Sequence, residues 1–404
     1  MSRPPVLYVW PSFRWDKVMT RASLSRRELV RNGFIGLSAA ALAGISPSLF
    51  AAAADDDGEL VPFIDPQPID PKRAMLKWEE LRDWITPEKQ FFAVSHYGAG
   101  KVNLADWKLK IGGHVEKPVD LSLDQIKARP ATTFAATLEC SGNGSTAGFM
   151  GAVGNARWTG TSLAALLAEC GLKPEATEIA FWGADRGKET IRTKSYEQNF
   201  ARTLKLAEMK DAILAWEMNG KPLPASHGAP LRLVVPGWYG IAWVKWLTWI
   251  EVRDRPLMNR FTARDYVTVR GERDGNDIEY KETAVGPMQV KSLVGRITRR
   301  DNGTLHVTGA AWSRAKIQKV ELRVDNSPWF EVDLAPQQDA NPADGRAWTF
   351  WSYDWKTPMP GEHTIVSRAT DAAGRVQPEA DDDFIKLKQT YWEANQQYPR
   401  QIKV

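Results

Sequence analysis

The chain of 404 residues contains only two cysteines, too few for a disulfide scaffold. It has no Walker loop and no G-x-G-x-x-G, H-E-x-x-H, C-x-x-C or C-x-x-C-H motif, so the sequence gives no sign of a nucleotide, zinc or c-type haem site. Its five histidines are scattered, without the spacing of metal ligands. Candidate chemistry must therefore come from other residues.

An excess of positive charge is also lacking in most of the chain. Residues 1–54 hold seven Lys/Arg and two acidic residues, a net charge of +5, whereas the whole chain carries +4. The remainder is close to neutral, so the charge gives no support for nucleic-acid binding. The chain is rich in tryptophan, with 18 residues, which favours large flat contacts and lined pockets.

The first 54 residues are predicted to be a twin-arginine signal peptide. Arg26 and Arg27 precede an apolar run over 33–49, and small residues follow at 51–54. Glycines and a proline interrupt the run and argue against a spanning helix, although an uncleaved anchor is the alternative. We expect a soluble protein in the bacterial periplasm, with no membrane span in the mature chain.

Residues 55–285 mix helix and strand signals and are predicted to form an α+β domain. Ser122–Ala128 has the pattern of a short helix with a serine N-cap, and Thr161–Cys170 that of a helix ending at Gly171. Strands are expected at 107–111, 231–235 and 243–252.

Residues 286–404 are predicted to form an all-β sandwich of immunoglobulin type with a C-terminal arm. Turn residues separate short strand candidates, and helical spacing is nearly absent. Six strands are expected, at 290–297, 304–308, 319–324, 329–334, 348–355 and 363–369. The preceding stretch 256–288 shows no clear periodicity and is interpreted as a connector. The polar tail from 385 is expected to pack back on the fold.

A cysteine at the edge between a strand and a loop is the first candidate site. Cys140 ends a strand-like run and is followed by Gly142 and Gly144, which permit a tight turn or a close approach to a ligand. A thiolate placed there suits a soft metal. A reactive nucleophile or a disulfide with Cys170 are the alternatives.

A second candidate site surrounds a turn rich in glycine. His227 and Arg232 flank the turn, and Lys245 follows a glycine-containing loop. Such a set suits an anion such as phosphate. A surface turn with a capping histidine is the alternative.

Several motifs occur in one order along the chain. They are Cys140-Ser141-Gly142-Asn143, ARWTG at 156–160, EMNGKPLP at 217–224, His227-Gly228 with Arg232, and VKWL at 244–247. In this respect the chain resembles the sulfite oxidase family of molybdopterin enzymes, over roughly residues 75 to 390. The resemblance implies a sulfite oxidase-type molybdopterin-binding domain, followed by an immunoglobulin-like domain that makes a homodimer.

The resemblance also implies the site residues. Cys140 matches the thiolate ligand of a molybdenum that carries one molybdopterin. The positions that match the family's cofactor contacts are Phe92, Ala93, Val94, Ser95, His96, Asp185, His227, Arg232, Trp243, Val244 and Lys245. Tyr266 matches the tyrosine beside the reacting oxygen, with simple packing as the alternative. Arg157 matches a residue that braces the site and adds positive potential. Arg314 matches a substrate-binding arginine of the dimer domain, or is a solvated turn residue.

The chain departs from the family at one important position. Many members have Arg-Asn-His where this chain has Val94-Ser95-His96, and that arginine helps to bind sulfite in them. Loss of one desolvated cation costs on the order of 1–3 kcal/mol.

We expect a molybdenum oxidoreductase that oxidises sulfite or a related small sulfur compound. Because the chain has no haem or flavin motif, its electrons are expected to pass to a separate c-type cytochrome. A sulfane dehydrogenase-like subunit or another oxo-transfer enzyme is the alternative. A cofactor-free binding module is the alternative from a different class.

Overall fold

The computed structural model describes residues 58–65, 75–146, 148–336 and 346–404. The predicted signal peptide, residues 1–54, lies outside these ranges. Within them, no helix combines the length and the apolar character needed to cross a lipid bilayer.

The described segments contain strands and helices that we number in chain order. The strands are β1 (Glu59–Leu60), β2 (Leu109–Gly113), β3 (Val119–Leu121), β4 (Ala131–Glu139), β5 (Val153–Ser162), β6 (Glu178–Ile191), β7 (Lys194–Lys205), β8 (Ile213–Met218), β9 (Lys221–Pro222), β10 (Arg232–Val234), β11 (Leu247–Arg253), β12 (Val267–Asp274), β13 (Asp277–Ala284), β14 (Lys291–Arg299), β15 (Leu305–Trp312), β16 (Ile317–Val324), β17 (Phe330–Glu331), β18 (Asp333–Leu334), β19 (Thr349–Trp355), β20 (Glu362–Asp371) and β21 (Arg400–Lys403). The α-helices are α1 (Leu123–Lys127), α2 (Leu163–Cys170) and α3 (Asp383–Lys386).

Two five-stranded sheets form the first domain and share one core. One sheet has the order β10-β8-β5-β4, with β9 beside β8, and the other has the order β3-β2-β11-β6-β7. Strand β11 pairs with β2 in parallel and with β6 antiparallel. Phe181, Leu214 and Ile250 are fully buried between these elements. Together with α1 and α2 they confirm the predicted α+β class.

Both predicted helices are present, with the expected caps. The Ser122 hydroxyl accepts a hydrogen bond from the Gln125 N–H, and the Gln125 side chain accepts one from the Ser122 N–H. Helix α2 ends before Gly171, whose φ is +69°. It begins two residues later than predicted, because residues 161 and 162 still pair within the sheet as the end of β5.

The predicted strands at 107–111, 231–235 and 243–252 correspond to β2, β10 and β11. Strand β11 begins only at Leu247. The residues before it turn through a short 3-10 segment, Gly240–Ala242, and through Trp246, which has a φ of +49°. That turn carries residues 243–246 toward the candidate site.

The interpretation of 256–288 as a connector is wrong. The segment contains a π-helical turn, Arg260–Arg264, and a hairpin of β12 and β13 around Gly275, which has a φ of +61°. Strand β13 alternates between polar and apolar residues only over 277–281, and every one of its residues is exposed, so it has no buried face. The Asp-Gly pair at 274–275 is the signal that predicts such a turn.

The all-β sandwich is confirmed. Its two sheets have the orders β1-β14-β15-β19-β18 and β17-β16-β20-β21, around a core that includes Val294, Val320 and Ile365. All six predicted strands are present, and the one predicted at 329–334 is divided between the two sheets as β17 and β18. The tail packs back as expected, since β21 pairs with β20.

Tryptophans fill the junction between the two domains. Trp78 stacks on Trp312 with ring centroids 5.9 Å apart. The Trp84 indole donates to the Trp348 carbonyl at 3.1 Å, and the Trp348 indole donates to the Trp84 carbonyl at 2.9 Å. These flat contacts account for part of the tryptophan excess.

Candidate active site

A cleft of about 670 Å³ gathers most of the predicted site residues. The cleft lies at the ends of several strands of the first domain and is open to solvent at its mouth. The predicted residues that line it are Phe92, Ala93, Val94, Ser95, His96, Cys140, Asp185, His227, Arg232, Trp243, Lys245 and Tyr266.

Cys140 follows the last residue of β4 and is half-buried. Its N–H donates to the Ala152 carbonyl at 2.9 Å, and its carbonyl accepts from the Asn143 N–H at 2.9 Å, which closes a tight turn. Cys170 is a buried thiol in the last turn of α2, and burial raises its pKa. The two cysteines are therefore not joined, and the disulfide alternative is wrong.

The turn after Cys140 requires glycine at position 144. Gly144 has a φ of +85°, and a Cβ there would lie 2.1 Å from the Tyr398 hydroxyl oxygen. That tyrosine belongs to the C-terminal arm, and its hydroxyl donates to the Gly144 carbonyl at 3.1 Å. The arm therefore packs directly against the turn that carries Cys140.

Two cations line the cleft, Arg232 buried and Lys245 half-buried. The Arg232 guanidinium lies 4.8 Å from the Trp158 ring centroid and donates to the carbonyls of His227 and Trp243 at 3.1 and 3.2 Å. Among the described residues its Nε finds no hydrogen-bond acceptor. The Lys245 ammonium donates to the Ser226 carbonyl at 3.0 Å.

The surroundings of these two cations and of His227 lower their pKa values. Burial lowers the pKa of Arg232 to about 9. Burial and the neighbouring Arg232 charge lower the pKa of Lys245 to about 7 and that of His227 to about 4. Two neighbouring cations with little hydration are stabilised by an anion bound between them. This part of the cleft therefore suits a negatively charged group.

Asp185 enters the cleft where β6 departs from regular pairing with β7, between residues 182 and 186. Burial raises its pKa to about 6, although the nearby Lys245 charge opposes that shift. A carboxyl group of this kind can accept or donate a hydrogen bond near neutral pH. It therefore suits the amide-like edge of a heterocycle.

Tyr266 and His96 form a hydrogen-bonded pair in the cleft. The Tyr266 hydroxyl lies 2.6 Å from His96 Nε2, and its ring stacks on Trp392 at 4.2 Å. Burial, and then the Arg260 charge, lower the pKa of His96 to about 4, whereas burial raises the pKa of Tyr266. At neutral pH the phenol therefore donates to an uncharged imidazole.

With this geometry in hand, comparisons with known proteins give consistent matches. The model of the oxidoreductase molybdopterin binding domain matches residues 96–261, and that of the Mo-co oxidoreductase dimerisation domain matches residues 280–392. Mitochondrial sulfite oxidase of Drosophila melanogaster is 32% identical over 337 residues, 76% of this chain and 57% of that protein. The chain belongs to the sulfite oxidase family of molybdopterin-dependent oxidoreductases.

Other family members show the same extent of similarity. Mitochondrial sulfite oxidase of Homo sapiens is 28% identical over 321 residues, 74% of this chain and 58% of that protein. The match thus spans less than two thirds of either mitochondrial relative's length. The crystal structure of the sulfane dehydrogenase SoxCD from Paracoccus pantotrophus is similar with a TM-score of 0.70 and 26% identity, covering 92% of this chain and 94% of that one.

Family membership confirms the predicted fold, enzyme class and molybdenum–molybdopterin cofactor. It excludes the cofactor-free binding module that the sequence left open. The cleft also fits the cofactor on its own chemistry. A buried guanidinium with an unpaired Nε and a half-buried ammonium suit the phosphate of the pterin, and a thiol that lines the same cleft suits a soft metal. The role of each individual residue stays a prediction.

Three predicted residues do not line the cleft. Val244 is buried behind it, where its carbonyl accepts from the Leu233 N–H. The Arg157 guanidinium lies 6.0 Å from the Trp84 ring centroid, on the side of β5 that faces the domain junction. Arg314 lies beside Gly237 and the charged pair Arg375–Asp371, and its role in substrate binding stays a prediction.

The structure adds residues to the site that the sequence analysis did not predict there. Phe200 and Trp246 line the cleft, the first from β7 and the second next to Lys245. Tyr391 and Trp392 reach the cleft mouth from the C-terminal arm, their ring centroids 3.9 Å apart. Trp246 belongs to the VKWL motif but was not predicted as a contact; the other three residues lie outside the family motifs.

Proposed function

We propose that this family member oxidises a reduced sulfur compound, with sulfite as one candidate substrate. The observation that carries the proposal is that one cleft is lined by the Cys140 thiol, by the two cations Arg232 and Lys245, and by the Tyr266–His96 pair. Cys140 would ligate molybdenum, Arg232 and Lys245 would bind the pterin phosphate, and Asp185 and His227 would contact the pterin.

In the proposed reaction the substrate sulfur gains one oxygen atom from water and loses two electrons, while two protons are released. The bound molybdenum–molybdopterin supplies the oxo transfer. Without substrate the single proton of the Tyr266 hydroxyl is donated to neutral His96 Nε2, 2.6 Å away. With substrate bound, that hydroxyl would turn its proton from His96 to the reacting oxygen.

A second candidate substrate is sulfane sulfur. Val94 stands where many sulfite oxidases have a sulfite-binding arginine, and its side chain is 39% exposed at the cleft. The cations that line the cleft, Arg232 and Lys245, are on the side proposed for the pterin. With valine in place of the substrate-binding arginine, the cleft favours a substrate of lower charge than sulfite. This agrees with the similarity to the sulfane dehydrogenase structure.

The partners and location also belong to this proposal. We propose a homodimer made through the sandwich domain, an export step guided by Arg26 and Arg27, and a separate c-type cytochrome in the periplasm as acceptor of single electrons. The matching dimerisation model supports the first of these. Fractionation of cells that produce the intact chain, compared with an Arg26→Lys/Arg27→Lys variant, tests the export step.

A substrate screen tests the chemistry. Molybdenum-loaded protein is mixed with sulfite or with glutathione persulfide, and reduction of cytochrome c is followed. Turnover with sulfite supports the first candidate, and turnover with persulfide alone supports the second. A Cys140→Ser variant should lose activity and retain little metal. A loaded sample that oxidises neither compound would contradict the proposal.

A further inference from the structure

A buried ion pair joins the two domains directly behind Cys140. The Lys291 ammonium, on the first strand of the sandwich, lies 2.5 Å from a carboxylate oxygen of Glu139, the residue before Cys140. The two side chains are 2% and 0% exposed. A buried pair of this kind is costly to desolvate, so it persists only where its geometry and its further hydrogen bonds compensate.

The pair is part of a fully bonded network. The second Glu139 oxygen accepts from the Trp312 indole at 2.8 Å, and the first also accepts from the Asn143 amide at 2.9 Å. The Lys291 ammonium donates in addition to the Asn143 carbonyl at 3.0 Å. The network therefore forms hydrogen bonds to both ends of the turn from Glu139 to Asn143, and Cys140 lies between these ends.

Strand geometry places this network on the far side of the backbone from the cleft. Successive side chains of a strand point to opposite faces. Leu138 and Cys140 line the cleft, whereas Glu139 points to the domain junction. The network does not touch the space proposed for substrate or cofactor, and it acts on the site only through the backbone of the turn.

We propose that Lys291 and Glu139 are positioning residues that fix the thiol of Cys140, so that the sandwich domain completes the molybdenum site of the first domain. The proposal rests on the proposed function for the identity of the metal. The positioning of the thiol itself does not depend on that identity. A role in domain docking alone is the competing explanation.

The test compares Lys291→Met and Glu139→Gln with Trp348→Phe. The last variant removes a hydrogen bond at the same junction, between the Trp348 indole and Trp84, without touching the turn. The full chain is made in two hosts, one able and one unable to make molybdopterin. In cofactor-free protein the rate of Cys140 alkylation by iodoacetamide is measured, with buried Cys170 as the internal reference. In loaded protein the molybdenum content after dialysis and the thiolate-to-metal absorption are measured.

We expect Lys291→Met and Glu139→Gln to speed alkylation of Cys140 and to weaken molybdenum retention about 10- to 100-fold, with a shifted absorption band. Trp348→Phe should lower the melting temperature with little change in these readouts. If Trp348→Phe alters the alkylation of Cys140 as much as Lys291→Met does, the pair serves docking and the proposal is wrong. Unchanged alkylation in all variants would also overturn it.

A second variant and a readout that needs no cofactor keep the test decisive. If Lys291→Met does not fold, Trp312→Phe removes a single donor to Glu139 and should give a smaller change in the same direction. If the wild-type chain from the competent host holds no molybdenum, the proposed function fails. The alkylation rates then still decide the positioning role.

Discussion

Position 94 separates the two candidate substrates, since a single side chain there changes the charge at the cleft mouth. Val94→Arg restores the cation that many sulfite oxidases carry. We expect kcat/KM for sulfite to rise on the order of 10- to 100-fold, because a charge-assisted hydrogen bond to a desolvated anion contributes a few kcal/mol. Steady-state kinetics with sulfite and cytochrome c measure the effect.

The matched control for this variant is Val376→Arg. Val376 is also half-exposed, at 49%, but belongs to the sandwich domain. A general attraction of sulfite to added positive charge would raise kcat/KM in both variants and would weaken with salt. An equal response of the two variants would count against a sulfite site at Val94.

Lys245 illustrates a conflict between stability and binding at one residue. Because burial and Arg232 lower its pKa to about 7, the folded chain holds this proton less tightly than the unfolded chain does. The resulting destabilisation is complete below pH 7 and diminishes as the pH rises from 7 toward 10.5. Lys245→Met should therefore stabilise cofactor-free protein more at pH 6 than at pH 9, by on the order of 2 kcal/mol.

The same variant should have the opposite effect on the cofactor. Without the ammonium the phosphate loses a partner, so we expect faster release of molybdopterin from Lys245→Met. Urea unfolding at the two pH values and measurement of pterin content provide the two readouts. Lys221→Met, at an exposed lysine of β9, is the control. A stability gain that does not depend on pH would contradict this account of Lys245.

At the scale of elements, the sequence predicted the helices and strands that are marked by caps, turn residues or alternation. Caps defined α1 and α2, and turn residues with alternation defined the six strands of the sandwich. Strand β13 was missed although residues 277–281 alternate and an Asp-Gly pair precedes them; all of its residues are exposed, and it pairs with β12. The long hairpin of β6 and β7 was likewise not predicted as a unit. Residues from distant segments contact it, Tyr97 at Gly187 and Arg260 at Glu189.

For the site, as for the elements, the sequence predicted the residues that have a local signal. Twelve of the 18 residues that line the cleft were predicted, and many of these lie in contiguous stretches such as 92–96. The residues that support these stretches come from far along the chain. Lys291 bonds to Glu139 across 152 positions, and Trp312 across 173. No pattern within a strand indicates such a partner.

The C-terminal arm makes a testable contribution to the site. Trp392 is 8% exposed and stacks on Tyr266, whereas its neighbour Tyr391 is 56% exposed. Trp392→Ala should cost about 3 kcal/mol of stability, as expected for a buried aromatic side chain. It should also lower kcat, because Tyr266 loses the surface that fixes its ring.

Tyr391→Ala is the matched control for the arm. The exposed ring should cost less than about 0.5 kcal/mol on removal. Thermal unfolding and steady-state kinetics of the two variants measure the difference. If both variants lost the same stability, the arm would act through its backbone contacts, such as the Glu393 N–H to the Ser141 carbonyl at 2.7 Å, rather than through Trp392.

At the scale of the whole molecule, the core of the first domain extends into the sandwich half of the sequence. Trp312, Trp348, Leu293 and Ala310 come from the sandwich half of the sequence, yet they pack in the core of the first domain. The junction also contains the Glu139–Lys291 pair, which is buried on both sides. Separation of the domains would expose several indoles and leave two charges without partners, so neither half is expected to keep its fold alone.

We therefore predict a single unfolding transition for the cofactor-free chain, although multidomain proteins often unfold in steps. Calorimetry should give a ratio of calorimetric to van't Hoff enthalpy of about 1. A Trp348→Ala variant, which removes a fully buried indole from the junction, should separate the transitions and raise this ratio above 1. Two resolved transitions in the wild-type chain would mean that the sandwich folds independently. The turn of Cys140 would then have to hold its shape without it.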